Sequence, residues 1–215
     1  MFVDANSTLA DVAERVLRSD GLAFEIHRAP DVGSAALPAL VAGAEIAIID
    51  HTELPTAIAR ECAGLRHVVF LGTGARSYMN PEELAAIGIE VHTIKGYGDT
   101  AVAECAIGLM FAAARDFAQM DREMRAGRWL RSEALQLGGR TIGLVGFGGI
   151  AAEVARLALG CGLKVLAWNR SPKVHPGVQF VELESLLAAS DVLSLHLLLT
   201  DETRNFLSRE PIAAM

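Results

Sequence analysis

Three small residues with a defined spacing give the sequence its clearest chemical signature. Gly146, Gly148 and Ala151 follow the pattern G-x-G-x-x-A. The first glycine permits a tight turn, the second lets the backbone approach a phosphate closely, and the small third residue allows a helix to pack near a strand. Free N–H groups and the positive dipole end at the start of such a helix attract anions. The same spacing also occurs in ordinary glycine-rich turns, so the neighbouring elements must decide between the two interpretations.

The segment around these glycines has the elements that a dinucleotide-binding unit requires. Residues 142–145 form an apolar run that predicts a strand buried on both faces. A helical pattern follows from about residue 150 to residue 159, and residues 163–168 predict a second buried strand. Because strand, glycine turn, helix and strand occur in this order, the sequence predicts a Rossmann-type unit that binds a dinucleotide.

The polar residues after the second predicted strand indicate which dinucleotide is bound. An NAD-binding unit usually has an acidic residue there, which accepts hydrogen bonds from the adenine ribose 2′-hydroxyl. Asn169 stands at this position and carries no charge, and Arg170 and Ser171 follow it. A planar cation without a neighbouring carboxylate suits a 2′-phosphate, so the pattern favours NADP(H) over NAD(H). The alternative is that Arg170 is a solvent-facing loop residue of a unit that binds NAD.

The composition excludes several other classes of protein. The 215-residue chain is 52% hydrophobic with a net charge of −7, which argues against a nucleic-acid partner. No apolar run approaches the ~20 residues that cross a bilayer, and the first residues do not resemble a signal peptide. The cysteines are far apart and without CxxC spacing, which predicts neither a disulfide framework nor a metal site. We therefore expect a cytoplasmic protein without a membrane partner. The cysteines are Cys62, Cys105 and Cys161.

Strand and helix patterns alternate over the first part of the chain, residues 1–96. Repeated units of this kind predict a parallel sheet with helices on both faces. Asn80, Pro81 and the two glutamates after them are typical of a helix start. The predicted strands are 2–4, 22–27, 45–50, 67–71 and 89–94, and the other predicted helices are 8–18, 34–42 and 55–62.

A break at residues 96–99 separates the domain 1–96 from the domain 97–215. One long helix is predicted from about Thr100 to Arg125. Its apolar stripe is wide enough for one face to pack on its own domain and another on a partner chain. We expect two doubly wound parallel-sheet domains in an α/β protein, the first flavodoxin-like and the second Rossmann-type. The later predicted elements are strands 178–181 and 191–197, a helix at 183–189 and a final helix after Thr203.

The loop after the predicted strand 67–71 is a second candidate site. It reads Gly72-Thr73-Gly74-Ala75-Arg76. Open α/β sheets bind ligands beyond the carboxyl ends of their strands, and free N–H groups in such a loop would hold a small anion. A flexible connector explains the two glycines equally well.

Several spaced motifs together resemble the D-isomer-specific 2-hydroxyacid dehydrogenase family, from about Leu71 onward. The resemblance implies hydride transfer between a nicotinamide and C2 of a small 2-oxo or 2-hydroxy acid, such as glyoxylate or hydroxypyruvate. It also implies a substrate domain followed by a nucleotide domain, and a homodimer formed through the helix near 100–125. The motifs are Val102-Ala103-Glu104, Gly127-Arg128-Trp129, 137–141, the glycine unit 143–150, and Ser194-Leu195-His196 with Thr200 and Thr203.

The resemblance also implies roles for individual residues. The backbone at Thr73 and Gly74 corresponds to the loop that binds the substrate carboxylate. His196 lies at a strand end near the cofactor and is not assigned as a base. The implied cofactor-binding residues are Val102 at the nicotinamide, Gly146, Gly148, Gly149 and Ile150 at the pyrophosphate, Asn169, Arg170 and Ser171 at the adenosine, and His196, Leu197 and Thr203 near the ribose.

The sequence departs from the family pattern at several points. Gly149 stands where the family usually has a long polar residue, Leu198 where it has proline, and Arg76 where an acid is common. The family's catalytic Arg, Glu and His are expected beyond Met215, so we expect no catalytic residue within the chain and no activity from these residues alone. The alternative is a non-catalytic protein of the same fold that senses a dinucleotide or dimerises.

Overall fold

The structure is a computed structural model that describes residues 1–16, 23–72, 74–200 and 202–207. The chain divides into two compact units, Met1–Lys95 and Gly96–Met215. The roles that the sequence predicts for them, substrate binding and nucleotide binding, stay predictions.

The first unit is built on a parallel sheet. Strands β1 (Ile46–Ile49), β2 (His67–Phe70) and β3 (Glu90–Thr93) are adjacent in that order. Single parallel bridges join Phe2 to Ile26 and to Ile48, so the segments at Phe2 and Ile26 extend the sheet beyond β1. The described residues of the predicted strands 2–4 and 22–27 form only these bridges and no full strand. The resulting order is that of flavodoxin-like sheets, with the second segment at the edge and the first beside it. Its helices are α1 (Ser7–Val16), α2 (Leu37–Leu40), α3 (Thr56–Ala59) and α4 (Pro81–Ala86).

A buried carboxylate connects the first residues of the chain to the end of β1. Asp4 is only 2% exposed, yet its oxygens accept hydrogen bonds from the backbone N–H groups of Asp50, His51 and Thr52. The Thr52 hydroxyl donates a fourth bond at 2.8 Å. Because a buried charge is costly unless it is paired or hydrogen-bonded, these donors explain why an ionisable residue is tolerated here.

The described residues of the second unit form four parallel strands. They are β4 (Thr141–Val145), β5 (Lys164–Trp168), β6 (Val178–Phe180) and β7 (Val192–Leu195), and the sheet order is β6-β5-β4-β7. All pairs are parallel, which confirms the predicted α/β class. The helices Asp99–Ala114 and Gly149–Gly160 pack against each other in a core that includes Ala103, Met110, Ala151 and Val154. The helices are α5 (Asp99–Ala114), α6 (Phe117–Arg125), α7 (Gly149–Gly160) and α8 (Leu183–Ala189).

The prediction of one long helix over residues 100–125 is wrong, because the segment forms two helices. Asp116 separates α5 from α6 and has a left-handed backbone with φ 53°. Asp tolerates this conformation better than most residues, and its carboxylate accepts a hydrogen bond from Ser132. The backbone N–H of Leu135 also donates to the carbonyl of Ala114 at the end of α5. These contacts come from a loop far along the chain, so apolar periodicity does not reveal the break.

Several predicted helices and strands are shorter in the structure than the sequence indicates. The predicted helix 34–42 is a 3-10 turn, Ser34–Ala36, followed by the single turn of α2. Residues 17–18 and 22 of two predicted elements lie outside the described residues, as do residues 208–215 of the predicted final helix, whereas residues 202–205 form a turn. Among the helices that the structure describes, none has the length and apolar character needed to span a membrane.

Candidate functional site

The glycine turn after β4 is tightly packed against the end of β7. Gly146 has φ +87°, a backbone conformation that residues with a Cβ rarely adopt. A Cβ at this position would lie 2.8 Å from the backbone oxygen of His196 and 2.9 Å from Cδ2 of Leu197. The structure therefore brings together three of the residues predicted for the cofactor site, and it gives a physical reason for the first glycine of the motif.

The residue just before α7, Gly148, has open space around it. Gly148 precedes the helix in an extended conformation, and a Cβ added to it would have no atom of the described residues within 4 Å. Gly148 and Gly149 are exposed, and Ile150 is half-buried. The first N–H groups of a helix have no partner within the helix, so this end carries partial positive charge and can accept an anion. The arrangement fits the phosphates of a dinucleotide.

An acidic side chain lies directly beside this helix end. A Cβ built on Gly149 would overlap Oδ2 of Asp99 and lie 2.8 Å from its Cγ. The long polar residue that the family usually has at this position would therefore displace Asp99. The carboxylate is attracted by the positive end of α7 and would repel a phosphate bound there. The sequence analysis did not select Asp99 as a site residue. Its position three residues before Val102, which was predicted to contact the nicotinamide, is the signal that could have pointed to it.

Asn169 fixes the glycine turn to the end of β5. Its Oδ1 accepts a hydrogen bond from the backbone N–H of Phe147 at 3.0 Å, and its Nδ2 donates to the carbonyl of Ser171 at 2.8 Å. Lys173, which the sequence analysis did not select, donates from Nζ to the carbonyl of Phe147. The predicted contact of Asn169 with the ribose stays a prediction, while the structure shows a positioning role.

The segments that follow β5 and β7 line a cleft of about 810 Å³. The side chain of Arg170 is 87% exposed and its guanidinium lies 3.7 Å from a carboxylate oxygen of Glu202, so it is free to turn toward a ligand. The rings of Trp168 and Phe206 meet in this cleft with their centroids 5.5 Å apart. Predicted residues in its lining are Asn169, Arg170, Ser171, Leu197 and Thr203. A smaller hollow of about 420 Å³ also contacts residues 169–171 and includes Lys173.

Two predicted residues near β7 make local contacts. His196 has Nε2 2.9 Å from the Ser194 hydroxyl, and its backbone N–H donates to the carbonyl of Val145. Burial lowers the pKa of the His196 imidazole below its usual value, which favours the neutral form. The Thr203 hydroxyl donates to the carbonyl of Leu198 at 2.6 Å, and it accepts a bond from the backbone N–H of Thr200 at 2.7 Å. The threonines therefore shape the loop that closes one side of the cleft.

The remaining predicted residues are less informative. Val102 lies in the first turn of α5 and is 48% exposed. Gly74 precedes a 3-10 turn, Ala75–Ser77, and is half-buried, whereas Thr73 lies outside the described residues. Arg76 forms a two-contact ion pair with Glu82, which holds the pKa of the Glu82 carboxyl below its usual range. The substrate-binding role of Thr73 and Gly74 stays a prediction.

The fold and the glycine turn define a Rossmann-type dinucleotide-binding unit. Residues 107–215 match the family model described as D-isomer specific 2-hydroxyacid dehydrogenase, NAD binding domain. The chain belongs to this family, which confirms the resemblance found in the sequence. A nicotinamide dinucleotide is therefore the cofactor that the family assigns to this domain.

Characterised relatives give the same family. A hydroxypyruvate reductase of Thermotoga maritima is 40% identical over 131 residues, which are 60% of this chain and 43% of the relative. A glycerate dehydrogenase of Methylorubrum extorquens is 31% identical over 181 residues, 80% of this chain and 56% of the relative. The solved TT0316 protein of Thermus thermophilus aligns with the whole chain at a TM-score of 0.84 and 32% identity, and 69% of that protein is covered. The chain spans about half the length of the curated relatives it matches.

Proposed function

We propose that the chain serves an NAD(P)-dependent oxidoreductase that transfers a hydride between a nicotinamide and a small 2-oxo or 2-hydroxy acid, such as glyoxylate or hydroxypyruvate. The bound nicotinamide would supply or accept the hydride. The observation that carries the proposal is the glycine turn, in which Gly146 packs on the end of β7 and Gly148, just before α7, has open space around it. The names of the characterised relatives support the class of substrate.

A matched pair of glycine variants tests the dinucleotide site. Gly148 has space for a side chain and an ordinary φ, so Gly148→Val is expected to fold normally and to fill the space next to the phosphates. Gly160 at the other end of α7 also has space for a Cβ among the described residues, so Gly160→Ala is the control. Calorimetric titration with NADH and NADPH is expected to show at least about a tenfold loss for Gly148→Val alone. Equal binding by both variants would contradict the site.

The preference for NADP(H) is part of the proposal. Arg170 and Lys173 both contact the hollow at residues 169–171, and no acidic residue follows β5 directly. Two cations at this position suit a 2′-phosphate. Arg170→Ala is expected to weaken NADPH binding about tenfold and to leave NADH binding nearly unchanged. Arg156→Ala removes an exposed arginine of α7 that pairs with Glu153 and does not line this hollow, and it serves as the control. An equal loss for both cofactors would count against the 2′-phosphate contact.

Turnover separates the enzyme from the sensing alternative. Oxidation of NADPH in the presence of glyoxylate or hydroxypyruvate would support the reaction, because a sensing protein binds the cofactor without consuming it. Cofactor binding combined with no oxidation by the protein in its longest natural form would favour the sensing role. A control without the 2-oxo acid measures the background oxidation.

The partner that we propose is a second copy of the chain, bound through α5 and α6. Met110 of α5 is buried in its own unit, whereas Leu109 is 65% exposed, so α5 is apolar on two sides. Phe117 and Met124 of α6 are also more than half exposed. Apolar side chains on adjacent helices would be covered in a homodimer. We also propose a cytoplasmic location, which the free thiols of all three cysteines support.

A further inference from the structure

Two histidines and a glutamate converge on one face of the first unit's sheet. His67 pairs in register with Glu90, and Val69 pairs with His92. Because alternate residues of a strand point to the same side, His67, Glu90 and His92 share a face. Nδ1 of His67 lies 3.1 Å from Nε2 of His92, and Oε2 of Glu90 lies 3.8 Å from each of these nitrogens. Three possible ligand atoms from two adjacent strands therefore surround one point.

We propose that this cluster binds a divalent transition-metal ion, with zinc as the best match. Two imidazole nitrogens and one carboxylate oxygen are a ligand set that zinc adopts, with a water molecule in the fourth position. Nitrogens held at 2.0–2.1 Å in a tetrahedral arrangement lie roughly 3.3 Å apart. The separations of 3.1 and 3.8 Å bracket that value. Small side-chain rotations would bring all three atoms to zinc distances.

The surroundings of the cluster allow an ion and a water molecule to enter. The side chains of His67, Glu90 and His92 are 42%, 68% and 43% exposed. His67 and Glu90, together with Arg66, also line a hollow of about 320 Å³. The cysteine spacing that argued against a metal site does not bear on this cluster, because its ligands are two histidines and a glutamate on two adjacent strands. Strand register brings them together, and the sequence alone does not give that register.

Titration with zinc chloride tests the proposal on the whole chain after treatment with a chelator. One ion per chain is expected, and His67→Ala, His92→Ala and Glu90→Gln should each weaken binding at least about tenfold. His51→Gln is the matched control, because His51 is 67% exposed and contacts the carboxylate of Asp50 but is not one of the three clustered ligands. Magnesium is expected to bind far more weakly, since it prefers oxygen ligands.

Two further measurements separate a built site from casual surface binding. An ion held by β2 and β3 together should raise the melting temperature as the zinc concentration increases, and His92→Ala should abolish this rise. Gly148→Val should bind zinc like the unaltered chain, so failure of the dinucleotide site would leave this result standing. Equal zinc affinity in the unaltered chain and His92→Ala, or no binding up to about 1 mM zinc, would overturn the proposal.

Discussion

The glycine loops after β4 and after β2 both follow parallel strands, and their sequences suggest the same role. The loop after β4 leads into α7, a helix of 12 residues that is preceded by open space at Gly148. The loop after β2 leads only into the 3-10 turn Ala75–Ser77, and its cation Arg76 is already paired with Glu82. A short turn has little aligned dipole, so it attracts an anion far less than the start of α7. The helix behind a glycine loop therefore matters more than the glycines.

The largest expected difference between the loops is in the free energy of unfolding that is lost when a glycine is replaced by alanine. Gly146→Ala places a Cβ against the backbone oxygen of His196 at a positive φ, which should cost about 3 kcal/mol. Gly74→Ala meets no described atom within 4 Å at an ordinary φ, so we expect less than about 0.5 kcal/mol. Urea unfolding followed by circular dichroism measures both values. Similar costs at the two glycines would remove the proposed distinction.

The loop after β4 also differs from the loop after β2 because the Asp99 carboxylate lies beside the start of α7. Asp99→Asn keeps the shape and removes the charge that repels phosphate, so NADPH should bind about fivefold more tightly, by about 1 kcal/mol. Calorimetric titration at low salt measures the gain, which should shrink as salt increases. Asp121→Asn, at an exposed position of α6, is the control. Unchanged or weaker NADPH binding by Asp99→Asn would show that the carboxylate does not oppose the cofactor.

The lowered pKa of His196, which follows β7 and contacts the glycine turn after β4, predicts a small pH dependence of the free energy of unfolding. Its folded pKa is lowered by burial, so near pH 6.5 the unfolded chain binds more protons than the folded chain. The free energy of unfolding should therefore rise as the pH increases through this value, and it should fall as the pH decreases. Unfolding curves of the chain and of His196→Gln between pH 5 and 8 test the sign. An identical slope in the variant would exclude His196 as the source.

The smallest expected effect lies in the loop after β2. Arg76 and Glu82 are both more than half exposed, and an exposed ion pair contributes little to stability. Arg76→Gln should change the free energy of unfolding by less than about 1 kcal/mol. Urea unfolding measures this change, and a larger loss would mean that the loop is held more firmly than its contacts indicate.

The parts of the fold that local sequence determines were predictable. The buried strand at 141–145 and the helix at 183–189 depend on runs of apolar residues, and the structure has them within a residue or two. The Asn80 cap is also confirmed, since its side chain accepts a hydrogen bond from the backbone of Glu83. These features need only residues close together in the chain.

Features that depend on distant residues were not predictable. The break at Asp116 involves Ser132, and the position of Asp99 beside Gly149 joins residues fifty positions apart. The G-x-G-x-x-A pattern located the candidate site because it encodes a local turn, but it gave no sign of a carboxylate supplied by α5. The role of each site residue stays a prediction, because a sequence pattern predicts the conformation of the backbone better than it predicts which ligand binds there.

The double hydrogen bond of Asn169 has a consequence for protein engineering. An aspartate at this position, the usual choice for accepting the ribose of NAD, could still accept from Phe147. It would lose the donor to the carbonyl of Ser171 and place two oxygens face to face. Redesigning cofactor preference at this residue therefore also reshapes the loop that carries Arg170, and the two properties have to be optimised together.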